Sequence, residues 1–119
     1  MMTTTVQDFE DWRRPFYDFG RIVRNAGGEV VGIVEKKDAT PEQLSIKELN
    51  PALFCFDAQW LWKYLPNIQN KNAQGEYYLT DLIHMAIGDG FRIASMNIDP
   101  LESIGVNTPE HLALAERLL

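Results

Sequence analysis

The residues with the most chemistry to offer stand together in Asn72-Ala73-Gln74-Gly75-Glu76-Tyr77-Tyr78-Leu79-Thr80-Asp81. Side-chain amides, carboxylates, two phenols and a hydroxyl in one short run exceed what a mere connector needs. Loops held by rigid elements are where binding groups collect, so this stretch points to binding. The groups used for nucleophilic catalysis do not assemble in the same way. His84, on the polar side of its helix, and His111, in the first turn of the last one, lack partners at ligand spacing and read as surface residues. Cys55 is the sole cysteine, which excludes an internal disulfide; within Leu53-Phe54-Cys55-Phe56 it reads as a small buried hydrophobe. No Ser/His/Asp or Cys/His set is present.

Elements on either side must hold that stretch in place. Asn72, Gln74 and Gly75 break any periodicity and mark a loop. Thr80 is expected to cap the following helix through its side chain, with Asp81 complementing the dipole. Leu82, Ile83, Ala86 and Ile87 then share one helical face, and Gly88 and Gly90 end the helix. Upstream, Phe19 to Arg24 and Val30 to Glu35 are β-rich runs joined by Asn25-Ala26-Gly27-Gly28-Glu29, a hairpin that must pack on something because both its faces are apolar. Thr40-Pro41-Glu42 opens a short helix. Ile46 to Phe56 is expected as a strand interrupted at Asn50-Pro51. Asp57 caps a helix to Leu65, with Trp60, Leu61 and Tyr64 inward and Trp60 and Trp62 both packing.

Phe91 to Ile98 reads as a strand covered on both sides, and Thr108-Pro109-Glu110 opens a last helix with Leu112, Ala115 and Leu119 inward. Residues 1–19 are the least legible; Met1 to Thr5 fits a frayed end or the middle of a strand. Helices alternating with strands imply an α/β fold with the hairpin as an antiparallel annex.

Composition limits the function classes. The 119 residues fit one domain or part of one, 45% hydrophobic and 24% charged, as in ordinary globular chains. The net charge of −6 argues against a nucleic-acid binder. No apolar run approaches the roughly 20 residues that span a bilayer, and Met1 to Gln7 is too polar for a signal peptide. No membrane association and a cytoplasmic location are therefore expected.

Several ordered motifs carry a family resemblance. Gly20-Arg21-Ile22-Val23-Arg24, Val31-Gly32-Ile33-Val34-Glu35-Lys36-Lys37-Asp38-Ala39-Thr40, Glu48-Leu49-Asn50, Asn72 to Asp81 and Gly105-Val106-Asn107 follow one another along residues 19–119. Together they resemble the sugar-1-phosphate nucleotidyltransferase family, nearest to uridylyltransferase domains that act on N-acetylglucosamine 1-phosphate. Residues 1–18 match it poorly. The resemblance implies a doubly wound, Rossmann-like α/β domain binding nucleotide and sugar phosphate over the strand ends. It also implies a reaction of nucleoside triphosphate with sugar 1-phosphate that gives nucleotide-sugar (UDP-N-acetylglucosamine) and pyrophosphate.

By the same resemblance Gly20, Glu35, Asn50, Tyr78 and Thr80 face the sugar nucleotide and Asn107 a magnesium ion. The residue types suit those roles. Glycine admits close approach, a carboxylate accepts from sugar hydroxyls, an amide accepts and donates, and a carbonyl oxygen suits magnesium. Each also has a plainer reading. Glu35 can be a solvated strand exit, Asn50 a turn former, Thr80 a cap, Tyr78 core or wall, and Asn107 a residue before a cap.

Three features of the family are not found: the Gly-rich nucleotide loop, the catalytic lysine and the metal-binding aspartate. Residues 1–119 are therefore expected to be the C-terminal half of such a domain, inactive alone, with apolar sheet surface exposed for self-association. Asn50 precedes Pro51-Ala52 where the family has a small residue and glycine, and no hexapeptide-repeat segment supports an acetyltransferase. The competing expectation is a non-enzymatic α/β module that binds sugar nucleotides or pairs with a partner chain.

Overall fold

A computed structural model describes residues 1–118; the expected inward placement of Leu119 lies outside them. The strands are β1 (Met2–Thr5), β2 (Gly20–Arg24), β3 (Val30–Val34), β4 (Glu48–Asn50) and β5 (Met96–Ile98), and the α-helices are α1 (Pro41–Leu44), α2 (Ala58–Tyr64), α3 (Asp81–Gly88) and α4 (Pro109–Leu118). The strands form one sheet in the order β3-β2-β4-β1-β5. Only the β1–β5 pair is parallel; the other neighbours are antiparallel. The fold is α/β, with the expected hairpin β2–β3 forming one side of the shared sheet.

Local signals account for several elements. Gly28 takes φ +80 in the hairpin turn, a region open to glycine at little cost. Thr40 and Gln43 form a reciprocal capping box at α1, with Pro41 at its start. Asp57 accepts from the Trp60 amide at 2.8 Å and so caps α2. The thread at the start of the chain is settled instead by distant partners. β1 pairs through Thr4 with Leu49 and through Met2 to Thr4 with Met96 to Ile98, so Thr3 and Thr4 are fully buried mid-sheet. The charged excursion after it is a 3-10 helix over Asp11–Asp18.

Side chains alternate across the sheet, which gives two cores. Ile22, Val30 and Ile33 pack with Ile83 of α3 on one face; Val6, Phe16 and Leu49 cluster on the other. Burying each such side chain contributes about 1.5–3 kcal/mol. Arg21 is also fully buried on the second face. Its Nη1 donates to the carbonyls of Tyr17 and Phe19, and its guanidinium lies 4.9 Å from the Tyr17 ring centroid. Nε and Nη2 have no partner among the described residues.

Several expectations are corrected. Regular pairing in the run from Phe91 covers only Met96–Ile98, at a sheet edge, and Phe91 and Met96 are 56% and 57% exposed. An apolar run fits a covered strand only if neighbours exist on both sides, and here β1 is the one neighbour. The strand expected to continue to Phe56 stops at Asn50, before Pro51, which lacks an N–H for the ladder. Cys55 is exposed beside that stop.

Trp60 stacks on Tyr64 at 4.5 Å, whereas Trp62 points out of the helix at 69% exposure, two residues and so about 200° round from Trp60. Ala115 of α4 is buried but Leu112 is half exposed. Among the described residues no helix is long and apolar enough to cross a membrane.

Candidate functional site

Strand register assembles the site. Gly20 of β2 pairs with Asn50 of β4, and Arg21 pairs with Val34 of β3, so Gly20, Asn50 and the residue after Val34, Glu35, emerge side by side at one end of three adjacent strands. The loop before α3 faces them. Gly20, Glu35, Asn50, Tyr78, Thr80 and Asn107 all line one cleft of about 500 Å³.

Close approach explains the glycine. A Cβ at Gly20 would stand 3.3 and 3.4 Å from the Glu35 carboxylate oxygens and 3.2 Å from Ile33 Cγ2. Glu35 therefore lies across the bare backbone of β2. Thr80, 7% exposed, donates through Oγ1 to Glu35 Oε1 at 3.2 Å. The expected side-chain cap on α3 is absent, because Thr80 itself has helical angles (φ −62, ψ −20) rather than the extended ones of a capping residue. Its hydroxyl is committed to the carboxylate.

Asn50 is 7% exposed, and its Oδ1 accepts from the Ala52 amide at 3.0 Å. This turn puts Ala52 at φ +61, a left-handed position that favours glycine. Asn107 is exposed at the rim, its backbone N–H directed to His111 Nδ1 at 3.4 Å. His111 thus has a local backbone role. His84 is exposed, as expected, and its ring lies over Gly32 with Nε2 2.9 Å from the Ile33 carbonyl.

The loop wall is built from its own polar groups. Asn72 Oδ1 accepts from the Gln74 and Glu76 amides at 3.2 Å each, and Gly75 turns at φ +67. Asp38 then ties the loop to the turn after Glu35. It accepts from the Ala73 amide at 2.8 Å and from the Tyr78 hydroxyl at 3.2 Å, while Gln74 Nε2 donates to that hydroxyl at 2.8 Å. The sequence alone assigns Asp38 no role of its own, because its partners lie too far along the chain for a local pattern to expose them. Asp18, also missed, lines the cleft and pairs with Lys36 Nζ.

The lining includes the carboxylates of Asp18, Glu35 and Glu76 but no lysine or arginine. Burial raises the Glu35 pKa above the usual carboxylate range, Asp38 and Asp81 add to the rise, and the Thr80 hydrogen bond and Arg21 oppose it. Asp81 is raised too, chiefly by burial. Such a surface accepts hydrogen bonds from hydroxyl and amide groups and disfavours bare phosphate.

Asn107 offers one hard oxygen for magnesium. The described residues contain no group of three or more His, Cys, Asp or Glu side chains able to hold a metal. These residues alone do not fit a complete magnesium site. A second cavity of about 500 Å³, lined by Phe54, Phe56, Trp60, Ile83 and Phe91 with Asp57 and Arg92 among its polar residues, is mainly apolar.

A hairpin-floored, acidic cleft at the strand ends of an α/β sheet is the class of site this chain presents. Among its curated relatives are proteins named bifunctional protein GlmU. It is 44% identical over 103 residues to that of Clostridium novyi, covering 87% of this chain and 23% of the relative. The Brevibacillus brevis protein is 46% identical over 99 residues, covering 82% and 22%. With the Psychrobacter sp. protein the identity is 44% over 118 residues, 98% of this chain and 24% of the relative, so that match runs into residues 1–18, where the motifs fit poorly. The chain is thus homologous to these GlmU proteins, as its ordered motifs implied, and spans less than a quarter of their length. No family model matches it.

Proposed function

We propose that this chain forms the sugar-facing wall of a sugar-1-phosphate nucleotidyltransferase site, as part of a domain that joins a nucleoside triphosphate to N-acetylglucosamine 1-phosphate and releases pyrophosphate. The observation that carries this reading is the convergence of Gly20, Glu35, Asn50, Tyr78, Thr80 and Asn107, from five separate stretches of sequence, on one cleft.

The charge of the cleft supports a division of labour. Glu35 and Asn50 suit the hydroxyl and amide groups of an N-acetylated sugar. The triphosphate needs cations that this lining does not offer. Phosphoryl-type transfer rests on positioning and charge neutralisation, so the phosphate-facing groups come from outside residues 1–119. Asn107 would give magnesium one oxygen; phosphate oxygens, water and further protein would complete its shell. The chain alone has a binding role and no turnover.

Calorimetric titration of the 119-residue chain tests this. UDP-N-acetylglucosamine is expected to bind and UTP alone not to, and a pyrophosphate-release assay with UTP, magnesium and N-acetylglucosamine 1-phosphate is expected to stay at background. UTP binding without sugar preference, or turnover by the chain alone, would overturn the reading.

A further inference from the structure

We propose that Asp38 is a positioning residue that holds the Asn72–Tyr78 loop as a wall of the cleft, and so sets the affinity of the site without touching its ligand. The inference rests on the sugar-nucleotide reading of the cleft for its ligand, but its structural half does not. The Asp38 carboxylate sits in the 3-10 turn Lys36–Asp38, directly after Glu35. Oδ1 accepts from the Ala73 amide at 2.8 Å and Oδ2 from the Tyr78 hydroxyl at 3.2 Å. It therefore grips the loop at both ends, 35 and 40 residues away in sequence. Gln74 Nε2 donates to the same phenol oxygen at 2.8 Å, closing a chain from carboxylate to phenol to amide.

One other anchor reaches this wall, the Thr80 hydrogen bond to Glu35 at 3.2 Å, and it lies beyond the loop's last residue. Gln74, Tyr77 and Leu79 line the cleft yet are exposed, with Tyr77 at 72%. The other side-chain bonds of the loop are internal ones through Asn72. Internal bonds shape a loop but do not dock it. Thr80 holds the end of the stretch against Glu35, and Asp38 docks the loop before it, Ala73 to Tyr78, to the turn after Glu35. A carboxylate fits because it accepts at two oxygens at once. Asparagine keeps one acceptor for the Ala73 amide, and its NH₂ can donate to the phenol oxygen, so it is the conservative variant.

The test compares Asp38→Ala, Asp38→Asn and the unaltered full chain by amide hydrogen exchange without ligand and by titration with UDP-N-acetylglucosamine. Asp38→Ala is expected to speed exchange at Ala73 to Tyr78 and leave β2 and β3 unchanged. Affinity should fall about tenfold, as for loss of one to two hydrogen bonds, and Asp38→Asn should restore most of both. Unchanged exchange in the loop, or equal loosening of loop and strands, would overturn the proposal. Loop loosening with undiminished affinity would overturn it as well. If the unaltered chain binds no UDP-N-acetylglucosamine while the loop still loosens selectively, the tether stands and the ligand assignment fails.

Discussion

Gly20→Ala separates binding from folding at the cleft. The added Cβ would meet Ile33 Cγ2 at 3.2 Å and the Glu35 oxygens at 3.3 and 3.4 Å. Carbon contacts settle near 3.5–4.0 Å, so one neighbour must yield by a few tenths of an ångström. Ile33 is 3% exposed in the core and cannot move far, whereas Glu35 has the open cleft beside it. The carboxylate gives way. That stretches the Thr80 hydrogen bond from 3.2 Å towards the limit of a real bond, at a cost of about 0.5–1.5 kcal/mol.

Alanine in a strand recovers roughly 0.5–1 kcal/mol over glycine, so the net change in stability is close to zero. Binding is not compensated. Misplacing a carboxylate that accepts from a sugar hydroxyl costs about 1.5–3 kcal/mol, a loss of roughly ten- to a hundredfold. Parallel thermal unfolding and titration with UDP-N-acetylglucosamine give both quantities. A variant that unfolds and binds as the unaltered chain does would refute this account of the Gly20–Glu35 contact.

Four other outcomes follow from the geometry. Glu35→Gln should stabilise the chain at pH 7: a raised folded pKa means stability is fully present below the unfolded value near 4.5 and is lost as pH rises through the folded one, so the advantage should vanish below pH 4.5 in denaturation curves. Gly32→Ala places a Cβ 2.8 Å from Cε1 of the exposed His84 ring, so the ring should swing off its bond to the Ile33 carbonyl at a cost of about 0.5–1.5 kcal/mol in chemical denaturation, and in a His84→Ala background the substitution should cost little. Ala52→Gly removes the φ +61 penalty and should raise stability by about 0.5–1 kcal/mol, the gain being reduced by the greater freedom of the unfolded chain. Leu53, Phe91 and Met96, 45–57% exposed near the apolar cavity, should drive self-association; a strictly monomeric chain at high concentration in sedimentation would count against that.

Local chemistry was legible in the sequence. The hairpin, the Thr40–Gln43 capping box and the Asp57 cap depend on residues a few positions apart, and all three form where their signals stand. What depended on distant partners was not. β1 lies mid-sheet because of pairings with Leu49 and with Met96 to Ile98, which a threonine-rich terminus does not announce. Phe91 to Ile98 had the composition of a covered strand, but composition cannot supply a second neighbour.

The same contrast divides the site. Gly20, Glu35 and Asn50 were reached through ordered motifs, and register explains why they meet. Asp38 and Asp18 escaped because the first acts across 35–40 residues and the second lies in the least legible segment.

The most direct measurement is a residue-resolved NMR titration of the 119-residue chain with UDP-N-acetylglucosamine. The account predicts saturable shifts at the amides of Gly20, Glu35, Asn50, Tyr78, Thr80 and Asn107, with the apolar cavity around Trp60 and Phe91 unmoved. Shifts confined to that cavity, or none at millimolar ligand, would contradict it.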